Sequence, residues 1–196
     1  MMKKTRNLVV AAGLSLMAAC STPTPPAPIQ VSNTGVGNIW VQTPFNLYAI
    51  QRLFPGYQVA MGQNSQGQNA ILVGLNDGII LNILPTANGM WIAAVAVVGP
   101  TAIGPDGVQN GMPFASIYQN RTPTCKADKN EMAAYGDNQS TGLILCTVPG
   151  APQLVYYFRG TGEGANGMPT SGVVASWSLA AMVWNSNNPE NASPAN

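Results

Sequence analysis

Ile71-Leu-Val-Gly-Leu75, Asn76-Asp77-Gly78 and Ile79-Ile-Leu-Asn-Ile-Leu84 follow one another without a break. Two apolar, β-branched runs joined through Asp-Gly predict a β-hairpin, because Asp-Gly tolerates the positive φ of tight hairpin turns. The pattern recurs outward from this point. Met90–Val98 reads as a third apolar strand, closed by Gly99-Pro100. Leu143–Cys146 and Leu154–Phe158 flank Pro149-Gly-Ala-Pro152 and predict a second hairpin. Ser176–Trp184 reads as a last strand, with a helix as the second choice.

Two helices fit between these strands. Thr43 suits an N-cap and Pro44 the first helical position, where a missing N–H costs nothing. Phe45, Tyr48, Leu53 and Phe54 then share one face of a helix ending near Pro55-Gly56. A shorter helix follows Met112-Pro113-Phe114, where Met112 is a poor cap. Gly35-Val-Gly37 running to Pro44-Phe45 and Tyr48 echoes Gly107-Val108 running to Pro113-Phe114 and Tyr118. The echo has two readings, a duplicated unit or one strand-to-helix turn used twice. Hairpins with two short helices predict an α+β single domain, mainly antiparallel sheet, with one disulfide.

The N-terminus carries an address. Lys3, Lys4 and Arg6 precede an apolar run from Leu8 to Ala19, the layout of a secretory signal and too short to span a bilayer. Met17-Ala-Ala-Cys20 resembles a bacterial lipobox, with Met17 where Leu is commoner. Cleavage there leaves Cys20 lipidated by acyl chains such as palmitate. The expected organisation is a signal peptide at 1–19, a lipidated Cys20 with a Pro-rich tether at 20–30, a domain at 31–184, and a disordered tail at 185–196. Ten tether residues in polyproline geometry would reach about 30 Å.

Composition removes several function classes. Without the signal, five cations face seven carboxylates, so no basic stripe for nucleic acid is present. The chain has no histidine, hence no imidazole base, metal ligand or pH switch. No Cys/His zinc site can be assembled, and no cofactor is implied. In an exported protein Cys125 and Cys146 pair most simply as a disulfide, worth about 3 kcal/mol in the loop-entropy model. A redox pair lacks the Cys-x-x-Cys spacing.

Val31–Trp184 resembles the small RpoE-regulated outer-membrane lipoproteins, the YfeY-like family of unknown function. The marks are Gly35-Val-Gly37, Thr43-Pro44, Gly107-Val108 through Gly111-x-Pro113-Phe114 to Tyr118, and Cys125 with Cys146. Tyr157-x-Arg159-Gly160, Gly167-Met-Pro169 and Trp177 with Val183-Trp184 continue in the same order. Met112 stands where the family more often has Thr, and the chain carries fewer charges. The resemblance implies an envelope location and a stress-linked setting, with no catalytic residues to transfer. Ser21, rather than the Asp that retains lipoproteins in the inner membrane, implies the outer membrane, facing the periplasm.

The site candidates are correspondingly few. Arg159–Gly167 lacks the Gly-Lys-Ser/Thr ending of a phosphate loop and reads as an inter-strand loop. Lys126, Asp128, Lys129 and Glu131 are the densest charge cluster, a solvated loop or a docking epitope. A Ser140–Lys126 or Ser140–Lys129 hydrolase pair has no supporting spacing, so the chain reads as a non-enzyme. Trp40, Trp91, Trp177 and Trp184 sit in apolar settings and are mostly core. A binding patch would draw on Trp40, Tyr48, Tyr118, Lys126, Lys129 and Arg159. The expected role is an anchored binding domain for an envelope protein partner. The alternative is an inhibitor of an envelope-attacking enzyme such as a lysozyme, acting through 126–131 or 160–167.

Overall fold

Alternating burial along the apolar runs builds two sheets. The computed structural model describes residues 26–64, 67–76, 78–127, 142–162 and 168–186. In chain order the elements are β1 (Ile29–Ser32), β2 (Gly35–Val36), β3 (Ile39–Trp40), α1 (Leu47–Leu53), β4 (Gln58–Gln63), β5 (Asn69–Leu75), β6 (Gly78–Pro85) and β7 (Ile92–Val97). There follow β8 (Ala102–Ile103), α2 (Phe114–Ile117), β9 (Cys125–Ala127), β10 (Gly142–Val148), β11 (Ala151–Gly160), α3 (Ser171–Val174) and β12 (Ser178–Asn185). The large sheet runs β4-β5-β6-β7-β12-β11-β10-β9, and the small one β3-β2-β1-β8. All pairs are antiparallel except β1 with β8, so the fold is α+β with a mainly antiparallel sheet.

Both predicted hairpins form. Leu75 pairs with Gly78, and Asn76, which follows Leu75, has φ 49. Val148 pairs with Ala151 across Pro149-Gly150, where Gly150 has φ 80. Ser178–Asn185 is a strand, not a helix, because it is paired on both edges, to β7 and β11. Cys125 and Cys146 are opposite one another on β9 and β10 and are disulfide-bonded.

The core lies on one face of the large sheet. Ile71, Val73, Leu81, Ile83, Val95, Val97, Leu154, Phe158, Met182 and Trp184 all point into it, joined by Ile29, Ile39, Ile50 and Phe54 from the helix and small-sheet side. A small second cluster of Leu143, Tyr157 and Ala181 sits apart from it.

Four expectations need correction. The first helix starts three residues late: Asn46 is its N-cap, its Oδ1 accepting from Ala49 N at 3.1 Å. Thr43 faces backwards instead, its Oγ1 accepting from Trp40 N at 2.9 Å. On α1 the buried residue is Ile50, whereas Tyr48 is 76% exposed. A third short helix, α3, joins the two expected. The sheets also begin earlier and end later than 31–184: Ile29 is a buried β1 residue within the expected tether, and Ser186 N donates to Ala93 O at 2.9 Å.

The echo in the sequence is a duplicated unit. In the first half Thr43 N donates to Trp40 O, Pro44 bridges Trp91, and Phe45 N donates to Met90 O. In the second half Met112 N donates to Gln109 O, Pro113 bridges Ser178, and Phe114 N donates to Trp177 O. Even the side-chain clasp repeats, since Gln109 N donates to Met112 Sδ as Trp40 N does to Thr43 Oγ1. Each helix then leads into a four-stranded meander, β4 to β7 or β9 to β12. Both meanders carry the same bulge: Leu84 pairs with Ala94 and Pro85 with Ile92, while Tyr157 pairs with Ala181 and Phe158 with Leu179. A bulge is a specific local feature, so its recurrence at one register marks equivalent positions. The last strands of the two meanders pair about Ala96 and Val183, with Val95 opposite Trp184 and Val97 opposite Met182. The two halves are thereby related by an approximate two-fold rotation.

Candidate functional site

Strand alternation decides what the β3 end presents. Ile39 points inward at 1% exposure, so its neighbour Trp40 points outward at 52%. Gly37, at φ 56, makes the preceding turn, and the Thr43 clasp fixes the following one from both sides. Thr43 is itself buried. The indole therefore stands on a backbone held by packing and hydrogen bonds.

Two grooves meet at this indole. One, of about 400 Å³, is lined by Trp40 and Val41 with Ser32, Thr34, Gln153 and Trp184. The other, of about 360 Å³, is lined by Trp40, Gln42 and Pro44 with Ala49, Arg52 and Leu53 of α1. Val41 is exposed, and so is Met90, whose carbonyl holds Phe45 N. Tyr48 stands on α1 one residue before the groove-lining Ala49. Arg52, in the last turn of α1, complements the helix dipole and brings a positive charge to the second groove. Rigid aromatic anchors beside concave, partly apolar surface are the usual centre of protein-binding energy.

The other candidate residues do not join this face. Tyr118 is 8% exposed and packs at a tilt against Phe114 at 4.8 Å and Phe158 at 5.8 Å, so its ring is largely withdrawn from a partner. Burial, then Tyr156, pushes its phenol well above the usual range. Lys126 is exposed on β9, opposite Leu145 at the far edge of the large sheet. Arg159 is half-buried on β11, between Leu143 and Ser178. Lys129, Ser140 and Cys20, the expected lipidation site, lie outside the described residues, as does most of 126–131 and 160–167. Trp177 and Trp184 are core, as expected, and their indole N–H groups donate to Thr161 O and Asn33 O.

Sequence reasoning passed over Val41, Arg52 and Met90. The signal for Met90 is the Asn88-Gly89 turn immediately before it, which puts an apolar side chain at a hairpin tip. A second polar cluster was also passed over: Arg121 Nη1 lies 2.8 Å from Asp106 Oδ2, near the hydroxyl of buried Tyr156. Among the described residues no three His, Cys, Asp or Glu are grouped as a metal ion would need, and no helix is long and apolar enough to cross a membrane.

Residues 24–186 match the model of a family described as a protein of unknown function, DUF1131. The chain belongs to that family. Its fold is similar to the crystal structure of the uncharacterized protein YfeY from Escherichia coli, with a TM-score of 0.60 at 22% identity. The similarity covers 80% of this chain and 99% of that one. No curated protein matches the chain. Family membership and the shared fold bear out the YfeY-like resemblance. Among the family marks, Gly160 and Trp177 are a packing pair, since a Cβ on Gly160 would overlap the indole.

Proposed function

We propose that this protein is a non-enzymatic lipoprotein, anchored in the outer membrane through Cys20, whose periplasmic domain binds another envelope protein on the Trp40 face and serves envelope integrity under stress. The observation that carries the reading is Trp40 itself, a half-exposed indole on a clasped turn between two grooves. A folding role would favour burying it, since an indole carries about 150–250 Å² of surface. The lipobox and secretory signal support the anchor, and the chain's path agrees. Tyr57 hydroxyl donates to Ala27 O at 3.0 Å, so the chain enters the domain just beyond α1, the helix that lines the second groove. Only five residues separate Cys20 from Pro26, which limits the span to roughly 20 Å. Such a tether keeps the Trp40 face near the membrane and raises the effective concentration of partners held there.

The lysozyme-inhibitor alternative draws no support from the described residues, because its loops lie largely outside them. The test is complementation. A strain lacking the protein should regain resistance to detergent and chelator stress with the wild-type gene but not with Trp40→Ala, at equal protein level. Full rescue by Trp40→Ala would refute the binding reading, and full rescue by Cys20→Ala would refute the anchor.

A further inference from the structure

Tyr156 is the core residue whose chemistry the fold does not use. Its side chain is 1% exposed on β11, and its hydroxyl finds no hydrogen-bond partner among the described residues. A buried hydroxyl in that state carries the cost of its lost bonds to water with nothing to offset it. The fold does not require the cost. The duplicated unit places Ile83 at the equivalent position, since Ile83 pairs with Val95 as Tyr156 pairs with Met182, and Ile83 is fully buried without any polar atom.

The Tyr156 side chain instead borders a pocket of about 110 Å³ that Asp106, Arg121 and Ser116 also line. Asp106 and Arg121 are paired at 2.8 Å, with side chains 64% and 49% exposed, so they stand at its mouth. Each keeps hydrogen-bonding capacity, because a guanidinium has five N–H donors and a carboxylate about four acceptor sites. Pro149 and Met112 give the walls apolar stretches.

We propose that this pocket binds one edge of a neutral hydroxylated ligand, a saccharide or polyol. The mouth is charge-balanced, so an ion gains no net attraction there. Adjacent hydroxyls, by contrast, can donate to Asp106 while accepting from Arg121 and Tyr156. Burial, with Asp106 adding to it against the opposing Arg121, pushes the Tyr156 phenol up to about 12. It therefore remains an O–H donor throughout the physiological range. The volume is that of about three or four waters, which suits one edge of a sugar ring with the remainder outside. This pocket is separate from the Trp40 face, and the two readings stand or fall independently.

The test is a titration followed by amide NMR, with glycerol, glucose and N-acetylglucosamine as probes and sodium acetate as the ionic comparison. Saturable shifts centred on Gly104, Val108 and Tyr156 are expected with at least one hydroxylated probe, and none with acetate. Tyr156→Phe, which keeps the ring, should weaken binding about three- to tenfold, the value of one hydrogen bond. Should that variant fail to fold, Arg121→Met and Asp106→Asn at the exposed mouth should each weaken binding instead. Absence of saturation with every hydroxylated probe would overturn the proposal, as would unchanged binding in the variants or a preference for acetate. So would a wild type that binds none of them while Tyr156→Phe is more stable, because the hydroxyl would then be an unmet polar group and not a binding one.

Discussion

Gly160→Ala isolates one contact that holds the second half of the fold together. A Cβ on Gly160 would lie 2.5 Å from Trp177 Nε1 and nearer still to Cδ1 and Cγ, where real contacts are 3.0 Å or more. The indole is 1% exposed, and its N–H donates to Thr161 O at 3.0 Å. If β11 yields, overpacking costs about 1–3 kcal/mol. If the ring is expelled, the loss approaches that of a buried Trp truncated to Ala, about 3–5 kcal/mol. The expected destabilisation lies where these ranges meet, about 3 kcal/mol. With a urea m-value near 2 kcal/mol per molar, the midpoint should fall by roughly 1.5 M, read by circular dichroism. Gly172→Ala is the matched control. Among the described residues its Cβ on α3 meets nothing within 4 Å, so it should raise stability by roughly 0.5–1 kcal/mol. A Trp177→Leu background should relieve Gly160→Ala by at least about 1 kcal/mol. A Gly160→Ala midpoint within about 0.5 kcal/mol of wild type, or strict additivity with Trp177→Leu, would refute the packing argument.

The duplicated turn predicts opposite effects at equivalent positions. Thr43→Ala leaves Trp40 N without its acceptor and should cost about 1–2 kcal/mol, whereas Met112→Thr installs a better acceptor for Gln109 N and should be neutral or stabilising by urea unfolding. Stability should also fall at alkaline pH. Tyr156 and Tyr118 have raised folded phenol pKa values, so the folded chain holds protons that the unfolded chain releases. Their contribution is complete below pH 10 and declines as pH rises from about 10 towards about 12. Tyr156→Phe should flatten that decline in urea midpoints, and an unchanged slope would show that the phenol is not buried.

Local chemistry explains which parts of the fold were legible. The hairpins of β5–β6 and β10–β11 carry apolar runs flanking Asp-Gly or Pro-Gly turns, so period and punctuation agree. The two-residue strands β2, β3 and β8 are too short to show any period. Edge strand β4 has the pattern Gln58-Val-Ala-Met-Gly-Gln63 with no buried position, hence no apolar run to find. Thr43-Pro44 misled because its N-cap signal serves equally well for the turn that Thr43 clasps backwards. The echo suggested equivalent tyrosines, but Tyr48 and Tyr118 are offset by one residue. One faces solvent and the other the core. Trp40 was legible as a candidate only for its aromatic ring; that it faces outward at 52% exposure follows from the fold. The Tyr156 pocket was not, because Asp106, Ser116, Arg121 and Tyr156 meet only through folding.

Site-specific photo-crosslinking in intact envelopes reads out whether the Trp40 face is occupied by a partner. A photoreactive residue at Tyr48, 76% exposed beside the grooves, is compared with one at Ile79, 49% exposed on β6. One discrete envelope-protein adduct is expected from Tyr48, absent from Ile79, and reduced about thirtyfold or more by Trp40→Ala, the effect of losing a roughly 2 kcal/mol anchor. Equal labelling from both positions, or a Tyr48 adduct indifferent to Trp40, would contradict the binding reading.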